Sequence, residues 1–242
     1  MVEIQNLVKR YGTFCAVNDL SLTIEPGEIF GFLGVNGAGK TTTLKILAGL
    51  LRPTSGRVLI NGRDVSHDPI EVKKITGYIP DRPHLYPKLT GREFLYFMAD
   101  LYRLPHPRAE ERAEDLLREY GLLEWQDELI ESYSHGMKQR LATCAGVLHE
   151  PRILIVDEPM VGLDPHGARM LKDSLREYAR SGMSVLLSTH SLNVAEEVSD
   201  RLAIIHRGTL LASGTLPEIR HQYGGFSEGL EQMFLSMTSN AH

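Results

Sequence analysis

Residues 34–41 read Gly-Val-Asn-Gly-Ala-Gly-Lys-Thr, set between the strand-type run EIFGFL and the helix-type run KTTTLKIL. The pattern G-x-x-x-x-G-K-[ST] constrains the fold because it works only where a strand hands its loop to a helix N-terminus. Glycines let the backbone curl until successive N–H groups point inward at phosphate oxygens. The helix that follows presents its free N–H groups and the positive end of its dipole to the same anion. In that geometry Lys40 reaches the β- and γ-phosphates, and Thr41 offers its hydroxyl to Mg²⁺. Gly34, Asn36, Gly37, Ala38, Gly39, Lys40, Thr41 and Thr42 are therefore the candidate phosphate-binding residues.

The flanking patterns supply an architecture. Before the loop, VEIQNLVKRY and FCAVNDLSLTI alternate roughly and read as strands. After it, Leu44, Leu47, Ala48 and Leu51 fall at helical spacing, and Pro53 marks the expected end. GRVLINGRDV predicts a hairpin turning at Asn61-Gly62. From about residue 90 to 150 the pattern becomes helical. Thr90 stands three residues before Glu93, as in a capping box. A second helix is expected from Pro107 to Gly121 and a third from Gly136 to His149. Beyond them ILIVD and SVLLSTH are bare apolar strands, of the kind covered on both faces. The helical run GARMLKDSLREYAR connects them, and LAIIHRGTLLASG reads as a closing hairpin. The expected fold is α/β: a mixed β-sheet core around the phosphate loop, an N-terminal antiparallel β-subdomain and a helical insert.

A cradle for phosphates is not yet a hydrolase. ILIVDEP supplies two acids at the right place. Asp157 ends a buried strand, at the carboxyl edge where α/β folds bind ligands, and can hold Mg²⁺ directly or through water. Glu158 follows, placed to act as general base on an attacking water, a role worth about 10²–10⁴-fold.

With the loop and these acids in place, nearly the whole chain resembles the ATP-binding cassette (ABC) ATPases, which carry a P-loop NTPase core. The 242 residues then form a single domain: 1–80 and 151–216 as nucleotide-binding core, 81–150 as helical subdomain, and 217–242 as a short tail containing GLEQMFLSMT. SYSHGMKQRL is similar to the family's signature motif, usually LSGGQ, with His135 at a common glycine position and Met137 at a frequent glutamine position. The resemblance implies that Ser134 and Gly136 bind the γ-phosphate of an ATP held by the partner subunit. A hydroxyl and glycine N–H groups opening a helix suit that anion. Tyr11 resembles the aromatic residue that stacks on adenine, although a tyrosine at a strand end can also be structural. GLDP resembles the D-loop, in which Asp164 crosses the dimer interface, caps a helix ahead of Pro165, or does both. His190 resembles the switch histidine near the γ-phosphate. TGYIPDRPHLYPKL matches the Q-loop region, with Asp81 in place of the usual glutamine. We read Asp81 as a metal sensor of shorter reach and weaker coupling.

Composition narrows the partners. The chain has 26 basic and 31 acidic residues, a net charge of −5, which argues against a general nucleic-acid binder. Cys15 and Cys144 are too few for a disulfide framework and suit a reducing compartment. The N-terminus lacks the apolar core of a secretory signal, and no apolar run approaches the ~18 residues needed to span a bilayer. The expectation is a soluble, cytoplasmic chain that reaches a membrane through a partner. The resemblance implies ATP as substrate, Mg²⁺ as cofactor, and two copies closing head-to-tail around two ATP molecules. It further implies a separate transmembrane permease, moved through the helical insert, so that the chain sits peripherally at the cytoplasmic face of the membrane. LEQMFLSMT, LYPKLTGREFL and YSHGMKQRL are similar to exporter-type subunits, which favours export. The alternative is a soluble ABC ATPase of translation or DNA repair. Those resemble tandem cassettes with charged linkers, or cassettes with zinc or coiled-coil insertions, whereas this chain shows one cassette, no CxxC pair and no long heptad run. A binding module without turnover is opposed by Glu158 and His190.

Overall fold

Ile29–Leu33, the run entering the glycine loop, is buried at all five residues and forms the third strand, β3. The computed structural model describes residues 1–222 and 230–240. Ahead of β3 lie β1 (Val2–Tyr11) and β2 (Phe14–Ile24). After it come α1 (Lys40–Leu47), β4 (Ser55–Ile60), β5 (Arg63–Asp64), α2 (Pro69–Lys74) and β6 (Thr76–Ile79). The helical stretch holds α3 (Gly91–Leu101), α4 (His106–Glu119) and α5 (His135–Val147). The chain then alternates through β7 (Ile153–Asp157), α6 (Pro165–Arg180), β8 (Ser184–Thr189), α7 (Leu192–Val198) and β9 (Arg201–His206). It ends with β10 (Thr209–Gly214), α8 (Leu216–Gln222) and α9 (Leu230–Asn240). Of the expected tail, residues 223–229 and 241–242, including Gly229 of the amphipathic run, lie outside the described residues.

Two sheets carry these strands. The first is antiparallel, in the order β2-β1-β4-β5, and the second runs β10-β9-β3-β8-β7-β6. In the second sheet β6, β7, β8, β3 and β9 are parallel, and only β10 is antiparallel. The parallel strands are buried on both faces, which is why β7 and β8 read as bare apolar runs. One core cluster, with Leu20, Phe30, Phe32, Leu44 and Ile155, joins the two sheets to α1. A second, with Phe94, Leu116, Leu141, Leu154 and Leu175, joins the helices α3–α6 to the opposite face of the parallel sheet. The mixed α/β core, antiparallel β-subdomain and helical insert expected from the sequence are therefore all present.

Two local signals hold in the structure. Thr90 accepts from the Glu93 N–H while the Glu93 carboxylate accepts from the Thr90 N–H, so the capping box opens α3. Asn61 and Gly62 both have positive φ, 49° and 75°, as a tight hairpin turn demands. One boundary differs. The helix α1 stops at Leu47, well before Pro53, because Gly49 takes φ 66° and closes the end with Gly49 N–H to Ile46 O and Leu50 N–H to Lys45 O. A left-handed glycine ends the helix sooner than the proline could.

Between insert and core, the His149 ring stacks on Tyr102 at 3.7 Å and donates through Nε2 to the Thr76 carbonyl. Its Nδ1 is buried with no partner. Burial pushes the His149 pKa down to about 4, against a lesser upward pull from the Thr76 carbonyl. The fold thus holds the neutral ring. Its contribution is complete above pH ~6.5 and is lost as pH falls toward about 4, a difference on the order of 2–3 kcal/mol. His149→Phe keeps a stacking ring without a titration. In denaturant melts its stability should fall less steeply between about pH 7 and 4.5 than that of the wild type, and identical slopes would refute the assignment.

Candidate nucleotide site

The glycine loop is built by close backbone approaches. A Cβ on Gly39 would lie 2.4 Å from the Ala16 carbonyl oxygen, and Gly39 has φ 104°, so only glycine lets β2 press against the loop. Gly37 turns at φ 80°. Gly34 donates to the Thr189 carbonyl, and Gly208 N–H donates to the Ala38 carbonyl at 2.9 Å, tying the loop to β8 and to the β9–β10 turn. No side chain caps the N-terminus of α1, so its first N–H groups have no side-chain acceptor from the cap. Lys40, first residue of α1, is 6% exposed. Its Nζ donates to Gly34 O at 2.7 Å and to Val35 O at 3.4 Å, and lies 3.3 Å from Glu158 Oε1.

Asp157 ends β7 fully buried, and its register partner in β8 is Ser188. The Ser188 hydroxyl donates to Asp157 Oδ1, while Oδ2 is buried with no partner. Burial holds the Asp157 carboxyl above the usual carboxylate range. The Ser188 and Thr41 hydroxyls oppose that shift, and the charges of Asp81 and Glu158 add to it. An orphaned carboxylate oxygen beside the Thr41 hydroxyl fits Mg²⁺, which takes one or two carboxylates and completes its shell with waters and phosphates.

Glu158 sits at φ 49°, a left-handed conformation that costs a non-glycine residue about 1 kcal/mol or more. Its N–H donates to the Ser188 carbonyl, which holds that turn. The carboxylate is held from two sides. Lys40 Nζ lies on Oε1, and Oε2 faces His190 Nδ1 at 2.9 Å together with the His190 N–H at 3.3 Å. The base candidate and the candidate switch histidine are thus in direct contact, although they follow different strands.

The loop and Glu158 open onto a cleft of about 290 Å³ lined by Asn36, Gly37, Gly39, Lys40, Thr41, Thr42, Asp81, Glu158 and Ala16, with the exposed Tyr11 and Phe14 at its mouth. Two features of the site escape a reading of the sequence. Ser188 lies inside SVLLSTH, but only the β7–β8 register brings it to Asp157. Phe14 stands three residues after Tyr11 in the β1–β2 turn, a spacing that could have signalled it.

Ser134, Gly136 and Asp164 do not line this cleft. Ser134 opens α5 and accepts from the Met137 N–H at 3.2 Å. Asp164 opens α6 and accepts from the Gly167 N–H at 2.6 Å, so it is a helix cap in this chain. The two turns pack on each other. A Cβ on Gly162 would meet the His135 ring at 2.4 Å, so His135 finds room at a common glycine position because Gly162 faces it.

A glycine loop of the P-loop form joined to a buried acid, a second carboxylate and a histidine at the carboxyl ends of parallel strands defines a P-loop nucleotide hydrolase. The particular kind follows from its relatives. The family model described as ABC transporter matches residues 17–161. Over its full length the chain is 34% identical to the linearmycin resistance ATP-binding protein LnrL of Bacillus subtilis (strain 168), covering 80% of that protein. A solved ATP-binding subunit of an ABC transporter superposes with a TM-score of 0.93 at 35% identity, over 98% of this chain and 99% of that one. A dimeric, post-hydrolysis ATP-binding cassette with bound ADP and Pi superposes with a TM-score of 0.81 at 26% identity, over 89% and 99%. This chain belongs to the ABC transporter family, as an ATP-hydrolysing, ATP-binding subunit.

Proposed function

We propose that two copies of this chain close head-to-tail around two ATP molecules and that hydrolysis reopens them, driving export through a separate permease. The observation that carries the reading is the separation of the site into two halves. The cleft gathers the glycine loop, Asp81 and Glu158, with His190 in contact with the Glu158 carboxylate, while Ser134 and Gly136 open a different helix elsewhere on the same chain as a second candidate anion site. Each half completes the other only across a dimer, and the dimeric ADP- and Pi-bound relative supports that geometry. ATP then favours the closed state because it binds that state better.

Within a site, the loop amides and Lys40 hold the phosphates. Thr41 and Asp157, with Asp81 at the cleft wall, would hold Mg²⁺, which supplies charge neutralisation on the β- and γ-oxygens. Glu158 accepts the proton of the attacking water. His190 orients that carboxylate and faces the γ-phosphate, while Tyr11 stacks on the adenine. Asp164 caps α6 and meets the partner copy.

Among the described residues no helix is long and apolar enough to cross a membrane. In this reading the permease is a separate chain. Its seat is an apolar groove of about 380 Å³ between insert and core, where Leu50, Tyr86, Phe97 and Leu101 are exposed. In this reading the chain works at the cytoplasmic face of the membrane. The resistance named for the Bacillus relative supports export, the direction that lowers the concentration of a toxic compound inside a cell. The runner-up, a soluble cassette of translation or DNA repair, has only the shared fold in its favour.

The test is co-purification. The complex should contain a hydrophobic membrane protein that raises ATP turnover, and recovery of RNA or DNA instead would refute transport. In that complex Asp81→Gln should change Mg²⁺ affinity and permease-stimulated turnover. If both stayed at wild-type values, Asp81 would have no metal-sensing role.

A further inference from the structure

Phe14 is 62% exposed at the mouth of the cleft, and the roles above leave it unused. Its position is set by the first hairpin. Tyr11 and Phe14 are direct cross-strand partners around the turn at Gly12, which has φ 58°. Direct partners project from the same face, with Cβ atoms roughly 4.5–5.5 Å apart. Phe14 and Ala16, two residues apart in β2, both line the cleft. The Ala16 carbonyl is the group pressed against Gly39. Moving outward from the phosphate loop, the cleft therefore offers Gly39 and Ala16, then Phe14 beside Tyr11. The Lys9 ammonium, anchored on the Arg52 carbonyl, lies over the Tyr11 ring at 5.1 Å and restricts how that ring can turn.

A nucleotide whose phosphates lie on the loop must run its sugar and base along this line. We infer that Phe14 is a second aromatic contact for the nucleoside, alongside Tyr11, and that it sets the preference for a nucleotide over bare polyphosphate. The inference rests on the reading of the cleft as the ATP site. It differs from that reading in concerning only the end of the ligand away from the phosphates. Its exposure makes Phe14 replaceable without disturbing the core.

Binding of MgADP and of inorganic tripolyphosphate to the purified chain separates the possibilities, because neither measurement requires the partner copy. Phe14→Ala should weaken MgADP roughly 5- to 100-fold, the range for loss of one base–aromatic contact, and leave tripolyphosphate within about twofold. Phe14→Tyr should restore near-wild-type MgADP affinity. Unchanged MgADP affinity in Phe14→Ala would overturn the inference, even if ATP-driven dimerisation were lost, since Phe14 would then serve only the subunit interface. Equal losses for both ligands would also overturn it, by pointing to a distorted loop. Failure of the underlying site is distinguishable: wild-type chain would then bind no MgADP, or Lys40→Ala would bind it as well as wild type.

Discussion

Glu158→Gln is expected to slow ATP turnover by about 10²–10⁴-fold while ATP stays bound, and to convert the chain into a dimer that persists in MgATP. The substitution keeps the size of the side chain and removes its basicity. It also removes the charge that sits between Lys40 Nζ at 3.3 Å and His190 Nδ1 at 2.9 Å. The loop backbone and the Lys40 contacts to the Gly34 and Val35 carbonyls are kept, so nucleotide affinity should survive. Without a base the water is not activated, the phosphate bond holds, and the two copies have no event to part them. Size-exclusion chromatography with and without MgATP, together with phosphate release, reads both effects. A variant that hydrolysed ATP at the wild-type rate would show that Glu158 is not the base.

Lys40→Ala is expected to weaken MgATP binding by at least about a hundredfold and to bring turnover below detection. The ammonium is held at the loop by the Gly34 and Val35 carbonyls, nearly out of solvent, where a phosphate oxygen would replace those carbonyls as its partner. Two charge-assisted hydrogen bonds to phosphate account for a loss of that size, at about 1.5–3 kcal/mol each. Calorimetric titration with MgATP checks it. Alanine is the best helix former, and here it would open α1 directly after Gly39. The fold should therefore persist, and the far-ultraviolet circular dichroism should match the wild type. Full ATP affinity would remove the phosphate assignment and, with it, the functional reading of the cleft.

How much of this is legible in the chain depends on how far apart the interacting residues lie. The loop Gly34–Thr41, the capping box at Thr90 and Glu93, and the turn at Asn61-Gly62 are each local, so spacing and residue type specify them. Asp157 and Glu158 are legible because they follow directly on a buried run. The early stop of α1 is hidden by Pro53, the more conspicuous breaker, although a glycine able to adopt φ 66° ends a helix by itself. Ser188 and Phe14 are hidden for different reasons. Ser188 becomes a partner of Asp157 only through parallel pairing of strands, across 31 residues of chain, and Phe14 looks like one more apolar residue in a strand.

The sequence by itself determined that this chain can cradle a polyphosphate, because that ability resides in eight consecutive residues, 34–41, whose backbone freedom and donors need no distant partner. It also determined the layered α/β order, through runs whose period matches strand or helix. Only the tertiary structure decided which side chains meet. It brought Lys40, Glu158 and His190 from three separate places in the chain into one charge cluster. It buried Asp157 against Ser188 with one oxygen left free. It also set Ser134 and Gly136 apart from the cleft, on a different helix N-terminus. Register and packing are cooperative properties of the whole sheet, and no local pattern carries them.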